Sequence, residues 1–166
     1  MFVLLHWRPI TLHSASRDGT IRVWDLVTKS FTETRAIPQR HDDWVRCPIT
    51  HSENKLTRIL QILSVAFSPV QKSIATGGDD GRLFVTDSVS GDVKFSCDAH
   101  KCWIRCVTYS PNGEMIATCS DDSTIGIWDA YDGSCILGAF NCEVGPVFSI
   151  AFSHDGNVLI SGNAQS

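Results

Sequence analysis

Short apolar runs, each bounded by turn residues, follow one another along most of the chain. The runs SVAF (64–67), RLFVTD (82–87) and TIGIWD (124–129) alternate or stay apolar over four to six residues and are rich in Val, Ile and Phe. Such runs are typical of β-strands, and the Ser-Pro, Asn-Gly and Asp-Gly pairs between them supply the turn chemistry that hairpins need. Helical periodicity is weak and confined to the segment 45–61, so the pattern predicts an all-β chain.

The pattern repeats with a period of a little over forty residues. Asp80 and Asp122, which hold the same place in two copies, are 42 residues apart. Copies of one half-unit are LHSASRDGTIRVWD (12–25), IATGGDDGRLFVTD (74–87), IATCSDDSTIGIWD (116–129) and LISGNAQS (159–166). The other half-unit lies before three of them, at 64–73, 106–115 and 149–158. Together with the apolar runs VKFS (93–96) and CILGAF (135–140), each repeat predicts four short antiparallel strands.

One complete copy, AH…W…VTYSPNG…IATCSDDSTIGIWD (99–129), resembles the WD40 repeat. The resemblance rests on a register that holds the Ser-Pro pair, an Asp six residues before the Trp and a His upstream. It implies a β-propeller, in which four-stranded blades surround a central channel. The expected fold is therefore an all-β, incomplete WD40-type propeller of about three and a half repeats. We place its antiparallel blades at 1–37, 38–95 (with an insertion at 45–61), 96–138 and, truncated, 139–166.

The resemblance also implies a hydrogen-bonded tetrad in each blade, made by a His, a Ser or Thr, an Asp and a Trp. Buried polar groups need partners, and a linked network fixes the turn against the strand. Matching residues are His100, Thr118, Asp122 and Trp128 in the third repeat, Ser14, Asp18 and Trp24 in the first, and His41, Thr76 and Asp80 in the second. The second repeat has Thr86 in place of the Trp, and the fourth has Glu143 and Gln165 in the His and Asp positions. We predict a structural role for these residues and no catalytic one.

A segment of 17 residues, Val45–Gln61, interrupts the second repeat. Joining Trp44 directly to Ile62 restores the register of the third repeat residue for residue. Two explanations stay open: a retained in-frame intron of 51 nucleotides, or a genuine loop insertion. We expect an irregular or partly helical excursion at the start of an inner strand.

Composition narrows the classes of partner and location. The chain has 166 residues, a net charge of −4 and no basic stripe, so we expect no nucleic-acid partner. It has no apolar run of membrane length, so we expect no membrane association. The seven cysteines are scattered and lack paired zinc spacing, which favours small buried residues in a reducing compartment and no metal or cofactor. A cytoplasmic location is expected, with the nucleus as the alternative.

The sequence contains no pattern typical of an enzyme. G-x-S-x-G, H-E-x-x-H and a phosphate-binding glycine loop are all absent, and the glycine-rich TGGDDG (76–81) lies at a strand-to-turn position. The resemblance implies a non-catalytic scaffold for protein–protein interactions, as a piece of a longer propeller. The alternative is a non-functional or mis-spliced gene product that does not close a ring. Self-association that completes a propeller also stays open.

The resemblance implies that a protein or peptide partner docks on the top face of the channel. This face is formed by the loop that enters each first strand and the turn before each third strand. The corresponding residues are Trp44, Trp103, Arg105 and Pro146 from the loops, with Arg17, Asp79 and Asp121 from the turns. Exposed Trp and Arg are effective interface anchors. In the alternative interpretation, Trp44 and Trp103 pack between neighbouring blades.

Overall fold

A computed structural model describes residues 11–15, 20–25, 33–38, 61–142 and 145–163. Thirteen strands and no helix are found within these ranges. All strand pairs are antiparallel, and the two sheets described in full have four strands each, which confirms the predicted fold class. No helix of the described part is long and apolar enough to cross a membrane.

The strands form four sheets, which we name blade 1 to blade 4 in chain order. Blade 1 contains β1 (Thr11–Ala15), β2 (Thr20–Asp25) and β3 (Glu33–Pro38). Blade 2 contains β4 (Ile62–Phe67), β5 (Ser73–Gly78), β6 (Arg82–Asp87) and β7 (Val93–Asp98). Blade 3 contains β8 (Ile104–Tyr109), β9 (Met115–Ser120), β10 (Thr124–Asp129) and β11 (Cys135–Asn141). Blade 4 contains β12 (Val147–Phe152) and β13 (Leu159–Asn163). Within each blade, every strand pairs with the next one in sequence.

The hydrophobic core lies between the blades. The first strand of each of blades 2 to 4 packs against the preceding blade: β4 against β1 and β2, β8 against β4 and β5, and β12 against β8 and β9. The cluster between blades 2 and 3 includes Leu83, Val85, Ile104, Val107, Ile116 and Trp128. The cluster between blades 3 and 4 includes Ala117, Cys119, Ile125, Val147 and Ile150. Full burial of one such aliphatic side chain stabilises the fold by roughly 1.5–3 kcal/mol, so stacking of the blades is the main source of stability.

The turn between the second and third strands of a blade is fixed by an aspartate. In blade 2, Asp80 accepts a hydrogen bond at Oδ1 from the backbone N–H of Arg82, at 3.0 Å. Gly81 has φ +74°, and its carbonyl accepts hydrogen bonds from the N–H groups of Ala99 (3.1 Å) and His100 (3.0 Å). This turn therefore holds the loop that leads into blade 3.

The outer strand of blade 3 contributes nothing to the core. Every residue of β11 is exposed, including Ile136 at 52 % and Leu137 at 53 %. Its pairing with β10 shows two register shifts, on either side of Ile127. By contrast, the five residues of β9 from Ile116 to Ser120 are all buried.

Residues 45–60 of the inserted segment lie outside the described residues, whereas Gln61 is described and β4 begins directly after it, at Ile62. Free thiols are found at Cys97, Cys106, Cys119, Cys135 and Cys142. Cys102 is disulfide-bonded, so the expectation of reduced cysteines is wrong at this position.

We expect Gly81→Ala to destabilise the fold more than Gly145→Ala. Both glycines have positive φ, which costs an L-residue about 1 kcal/mol or more. A Cβ at Gly81 would also collide with the backbone carbonyl oxygen of His100 and lie 2.9 Å from that of Cys102, whereas a Cβ at Gly145 meets nothing within 4 Å. Urea unfolding should give losses of roughly 2–4 kcal/mol and about 1 kcal/mol respectively. Equal losses would contradict this packing of the turn.

Candidate functional site

A buried hydrogen-bond network crosses blade 3. The indole Nε1–H of Trp128 donates to Thr118 Oγ1 at 2.8 Å, and Thr118 Oγ1 lies 2.7 Å from His100 Nε2. On the other side of the ring, His100 Nδ1 lies 2.7 Å from Thr124 Oγ1 and 3.5 Å from Asp122 Oδ1. The Thr124 hydroxyl in turn donates to Asp122 Oδ1. The network therefore joins all four residues of the expected tetrad in this blade, and Thr124 bridges His100 and Asp122.

The direction of these hydrogen bonds follows from the groups at the two ends. An indole N–H can only donate, and an ionised carboxylate can only accept. The Thr118 hydroxyl therefore accepts from Trp128 and donates to His100 Nε2, while Nδ1 of His100 carries the proton and donates toward Thr124 and Asp122. Every polar atom along this path has a partner, which a buried network requires.

The carboxyl group of Asp122 is held in its ionised form. Burial opposes its ionisation, but hydrogen bonds from His100, from Thr124 and from the backbone N–H of Lys101 (2.7 Å) outweigh burial. Together they hold the pKa of Asp122 well below 3.8. The carboxylate thus ties the loop before β8 to the turn between β9 and β10.

The other expected tetrad residues belong to the first, second and fourth repeats of the sequence. Thr76, Asp80 and Thr86 of blade 2 are fully buried, and Thr86 stands opposite Ile74 in the β5–β6 register. In the backbone register of blade 1, Ser14 stands opposite Arg22, and Trp24 opposite Leu12. The remaining residues of this prediction, which lie outside the described residues, are Asp18, His41, Glu143 and Gln165.

A second polar group lies where the inner strands of blades 3 and 4 begin. Arg105 donates two hydrogen bonds to Asp121, from Nε to Oδ1 at 2.7 Å and from Nη2 to Oδ2 at 2.6 Å. Its guanidinium carbon lies 4.8 Å from the ring centroid of Trp103 and 5.6 Å from that of Phe148. We call Trp103, Arg105, Asp121 and Phe148 the docking cluster.

The docking cluster combines a compensated charge with an accessible apolar surface. The Arg105 side chain is 31 % exposed and that of Asp121 13 %, whereas Phe148 is 44 % exposed. A bidentate arginine–carboxylate pair fixes the plane of the guanidinium, and stacking against aromatic rings adds to this. The cluster can therefore offer a rigid platform to a protein or peptide surface.

Three predicted top-face residues come together here, and the others lie apart or outside the described residues. Trp103, Arg105 and Asp121 are in contact, as expected of neighbours on one face. Asp79 is buried and accepts a hydrogen bond from the backbone N–H of Gln61 at 2.9 Å, and Pro146 is half-buried. Arg17 and Trp44 are not among the described residues.

Two contributors were missed in the sequence. Phe148 holds the same place in β12 as Arg105 in β8, so alignment of the repeats carried the signal for it. Thr124 follows Asp122 by two residues, at a position where the second repeat has Arg82, and nothing in the repeat pattern marked it. No group of three or more His, Cys, Asp or Glu residues within the described ranges could hold a metal ion.

Comparison with known proteins identifies the family. The family profile described as "WD domain, G-beta repeat" matches residues 6–25, 36–87, 91–129 and 133–166. The chain belongs to the WD40 repeat family. This confirms the resemblance stated from the sequence, and WD40 proteins are typically non-catalytic scaffolds that bind other proteins.

Relatives of known kind are longer WD40 proteins. The chain is 30 % identical over 164 residues to the guanine nucleotide-binding protein subunit beta of Dictyostelium discoideum, which covers 95 % of this chain and 41 % of that protein. It is 32 % identical over 140 residues to the nuclear distribution protein PAC1 of Coccidioides posadasii, covering 72 % and 26 %. The chain thus spans less than half the length of either relative.

A solved structure shows the same fold. A chain in the crystal structure of the mitotic checkpoint complex superimposes with a TM-score of 0.70 at 14 % identity, over 92 % of this chain and 40 % of that one. At this identity the likeness concerns the fold alone.

The stability of the WD40 blades should fall at acid pH through Asp122. Because folding lowers the pKa of this group, its contribution is fully present above the unfolded-state pKa and is lost as pH falls below 3.8 toward the folded-state pKa. We expect a loss on the order of 1–2 kcal/mol, measured by urea unfolding between pH 6 and pH 2. Asp122→Asn should lower stability at pH 6 and remove this part of the acid dependence. The control Asp92→Asn, at an exposed carboxylate, should retain it.

Proposed function

We propose that the chain is a non-catalytic WD40 scaffold that binds a protein or peptide partner through the docking cluster. The observation that carries this proposal is the position of Arg105, which is paired with Asp121 and lies against both Trp103 and Phe148. The cluster spans the junction of blades 3 and 4 and contains three of the residues that the resemblance assigns to the top face.

The fixed geometry of Arg105 favours binding. A free arginine side chain loses rotamer freedom when a partner immobilises it, at about 0.5–1.5 kcal/mol. Arg105 is already held by two hydrogen bonds to Asp121, so this loss has occurred before a partner arrives. Its positive charge is also balanced, so a docking surface need not supply a carboxylate.

The aromatic rings of the docking cluster supply the apolar anchor. Aromatic and arginine side chains dominate the binding energy of protein interfaces, especially near the centre of the contact. Phe148 is accessible, whereas Trp103 is half-buried and lies under the guanidinium. An apolar side chain of the partner, seated on Phe148 beside Arg105, fits this arrangement.

We further propose that blade 4 is followed by another blade in the native protein. Ser64 in β4 accepts a hydrogen bond from the N–H of Val107 in the next blade at 3.0 Å, and Cys106 at the same place in β8 contacts the carbonyl of Ile150 at 3.7 Å. Ser149 holds this place in β12 and is exposed. Ile160, which stands opposite Ala151 in the β12–β13 register, is 65 % exposed. The length of the relatives supports the same proposal.

Binding is tested with three variants of the full chain. Phe148→Ala removes the accessible ring, and Arg105→Lys keeps the charge but loses the bidentate pair. In quantitative affinity capture from native extract, both should reduce the recovery of the same partner at least about tenfold, which corresponds to about 1.4 kcal/mol. The control Tyr131→Ala removes a ring that is 68 % exposed in the turn before β11.

The control variant Tyr131→Ala should leave recovery of the captured partner unchanged. All three variants should have melting temperatures within a few degrees of that of the unsubstituted chain. A partner that is lost equally with Tyr131→Ala, or retained with both cluster variants, would place binding elsewhere and contradict the proposal. Binding of the purified partner, measured by calorimetry with the same variants, then gives the affinity directly.

The proposal of a further blade is tested on the messenger RNA. Sequencing of the full-length transcript should show in-frame WD40 codons after the codon for Ser166, and it also shows whether the codons for 45–61 are spliced out. A mature message that stops after Ser166 and always retains 45–61 would contradict both the further blade and the intron explanation.

A further inference from the structure

Two cysteines face each other across neighbouring strands of blade 3. Cys106 in β8 and Cys119 in β9 are register partners, and both side chains join the cluster between blades 3 and 4. Opposed residues of an antiparallel pair have Cα atoms about 4.5–5.5 Å apart. The register shifts between Ile104 and Cys106, and Cys106–Cys119 is the first pair after that shift. A disulfide needs a Cα separation of about 4.4–6.8 Å, a range that the usual spacing of register partners meets.

The two sulfur atoms are in different surroundings. Contacts with the Cys119 side chain, the backbone of Ile150 and the hydroxyl of Ser64 lower the pKa of Cys106 despite its burial. Contact with Cys106 and burial raise the pKa of Cys119. Of the two thiols, Cys106 is therefore the more readily ionised.

Cys106 and Cys119 also differ in their exposure to solvent. Cys106 is half-buried, at the junction where β8 meets Ile150 of blade 4, whereas Cys119 is fully buried behind it. A small oxidant therefore meets Cys106 first, and Cys119 is held in place to resolve the product.

We propose that Cys106 and Cys119 form a reversible intrachain disulfide when hydrogen peroxide oxidises the protein. This inference does not depend on the proposed function. The Cys106 thiolate attacks one oxygen of the peroxide, the O–O bond breaks, and the departing hydroxide takes up a proton to give water. Cys106 is then a sulfenic acid.

In the second step the Cys119 sulfur attacks the Cys106 sulfur. The S–S bond forms as the S–O bond breaks, and the hydroxide that leaves combines with the Cys119 proton to give a second water. The two sulfurs lose two electrons and the peroxide gains them. A dithiol reductant reverses the reaction by thiol–disulfide exchange.

The neighbouring thiol of Cys142 supplies the competing outcome. It lies close enough to Cys119 to affect its pKa, and burial raises its own pKa. It has no register partner among the cysteines, because it follows the last residue of β11. A Cys119–Cys142 bond would therefore need movement of the loop after β11, whereas a Cys106–Cys119 bond follows the existing register.

The test is peptide mapping of the full chain after treatment with hydrogen peroxide and alkylation of the remaining thiols. Trypsin cannot separate the pair, because no Lys or Arg follows Arg105. Trypsin does cleave after Arg105, which removes the disulfide-bonded Cys102 from the peptide with Cys106. A second protease that cleaves after Asp and Glu then separates the peptide 106–114, with Cys106, from the peptide 115–121, with Cys119. We expect a linked peptide that contains both cysteines, a joint loss of their alkylation, and recovery of both with dithiothreitol.

Variants separate the two steps. In Cys119→Ala, Cys106 should accumulate as a sulfenic acid that dimedone traps, whereas in Cys106→Ala, Cys119 should stay alkylatable. The controls Cys142→Ser and Cys135→Ser should leave the Cys106–Cys119 link intact. A link between Cys119 and Cys142 would overturn the proposal. Full alkylation of Cys106 and Cys119 in the unsubstituted chain, after peroxide treatment and unfolding, would also overturn it. Both results are obtained without a variant, so they hold even if a substitution impairs folding.

Discussion

The structure depends on the contact between one blade and the next, because a four-stranded sheet of this size has no interior of its own. Leu83 and Val85 of β6 are fully buried and share one hydrophobic cluster with Ile104 of the next blade. The same contact sets where each inner strand begins. It therefore decides that Arg105 of blade 3 and Phe148 of blade 4 meet at one end of the stack.

The buried hydrogen-bond network of blade 3 connects the packed strands to the docking cluster at the surface. His100 and Asp122 tie the loop before β8 to the turn after β9, and the next residues outward are those of the docking cluster. The N–H of Asp121 donates to the carbonyl of Trp103 at 3.1 Å, directly beside the network. The buried network thus positions the surface on which we place binding.

The strands could be predicted because the apolar positions of the sequence repeat are the positions that are buried in the blades. RLFVTD and TIGIWD are strands with the expected bounds, since their apolar residues meet both neighbours of a stacked sheet. The cross-blade contact of Phe148 with Arg105 could not be read from either repeat alone, because it depends on how two blades are rotated against each other. The bridging role of Thr124 was missed because the second repeat has Arg82 at the same position, so the repeats do not mark this residue.

The conformation of one turn was not predicted, because two different residue types can occupy the same position in it. Ser123 has φ 70° at the position where the second repeat has Gly81. Asp122 accepts hydrogen bonds from the backbone N–H and the hydroxyl of Thr124, and these bonds fix the turn. They keep Ser123 in a left-handed conformation that residues other than glycine seldom adopt. The disulfide-bonded state of Cys102 was likewise not foreseen, because scattered cysteines give no pairing rule.

The exposed outer strand has a consequence for the motions of the blade. Separation of β11 from β10 uncovers no core residue, because all of β11 already faces solvent and its pairing is irregular around Ile127. Separation of β9, in contrast, exposes the contact with β12. Amide hydrogens of β11 therefore exchange through small local openings, while those of β9 exchange only when neighbouring blades part. Blade 3 is thus held more firmly at β9 than at its outer strand, β11.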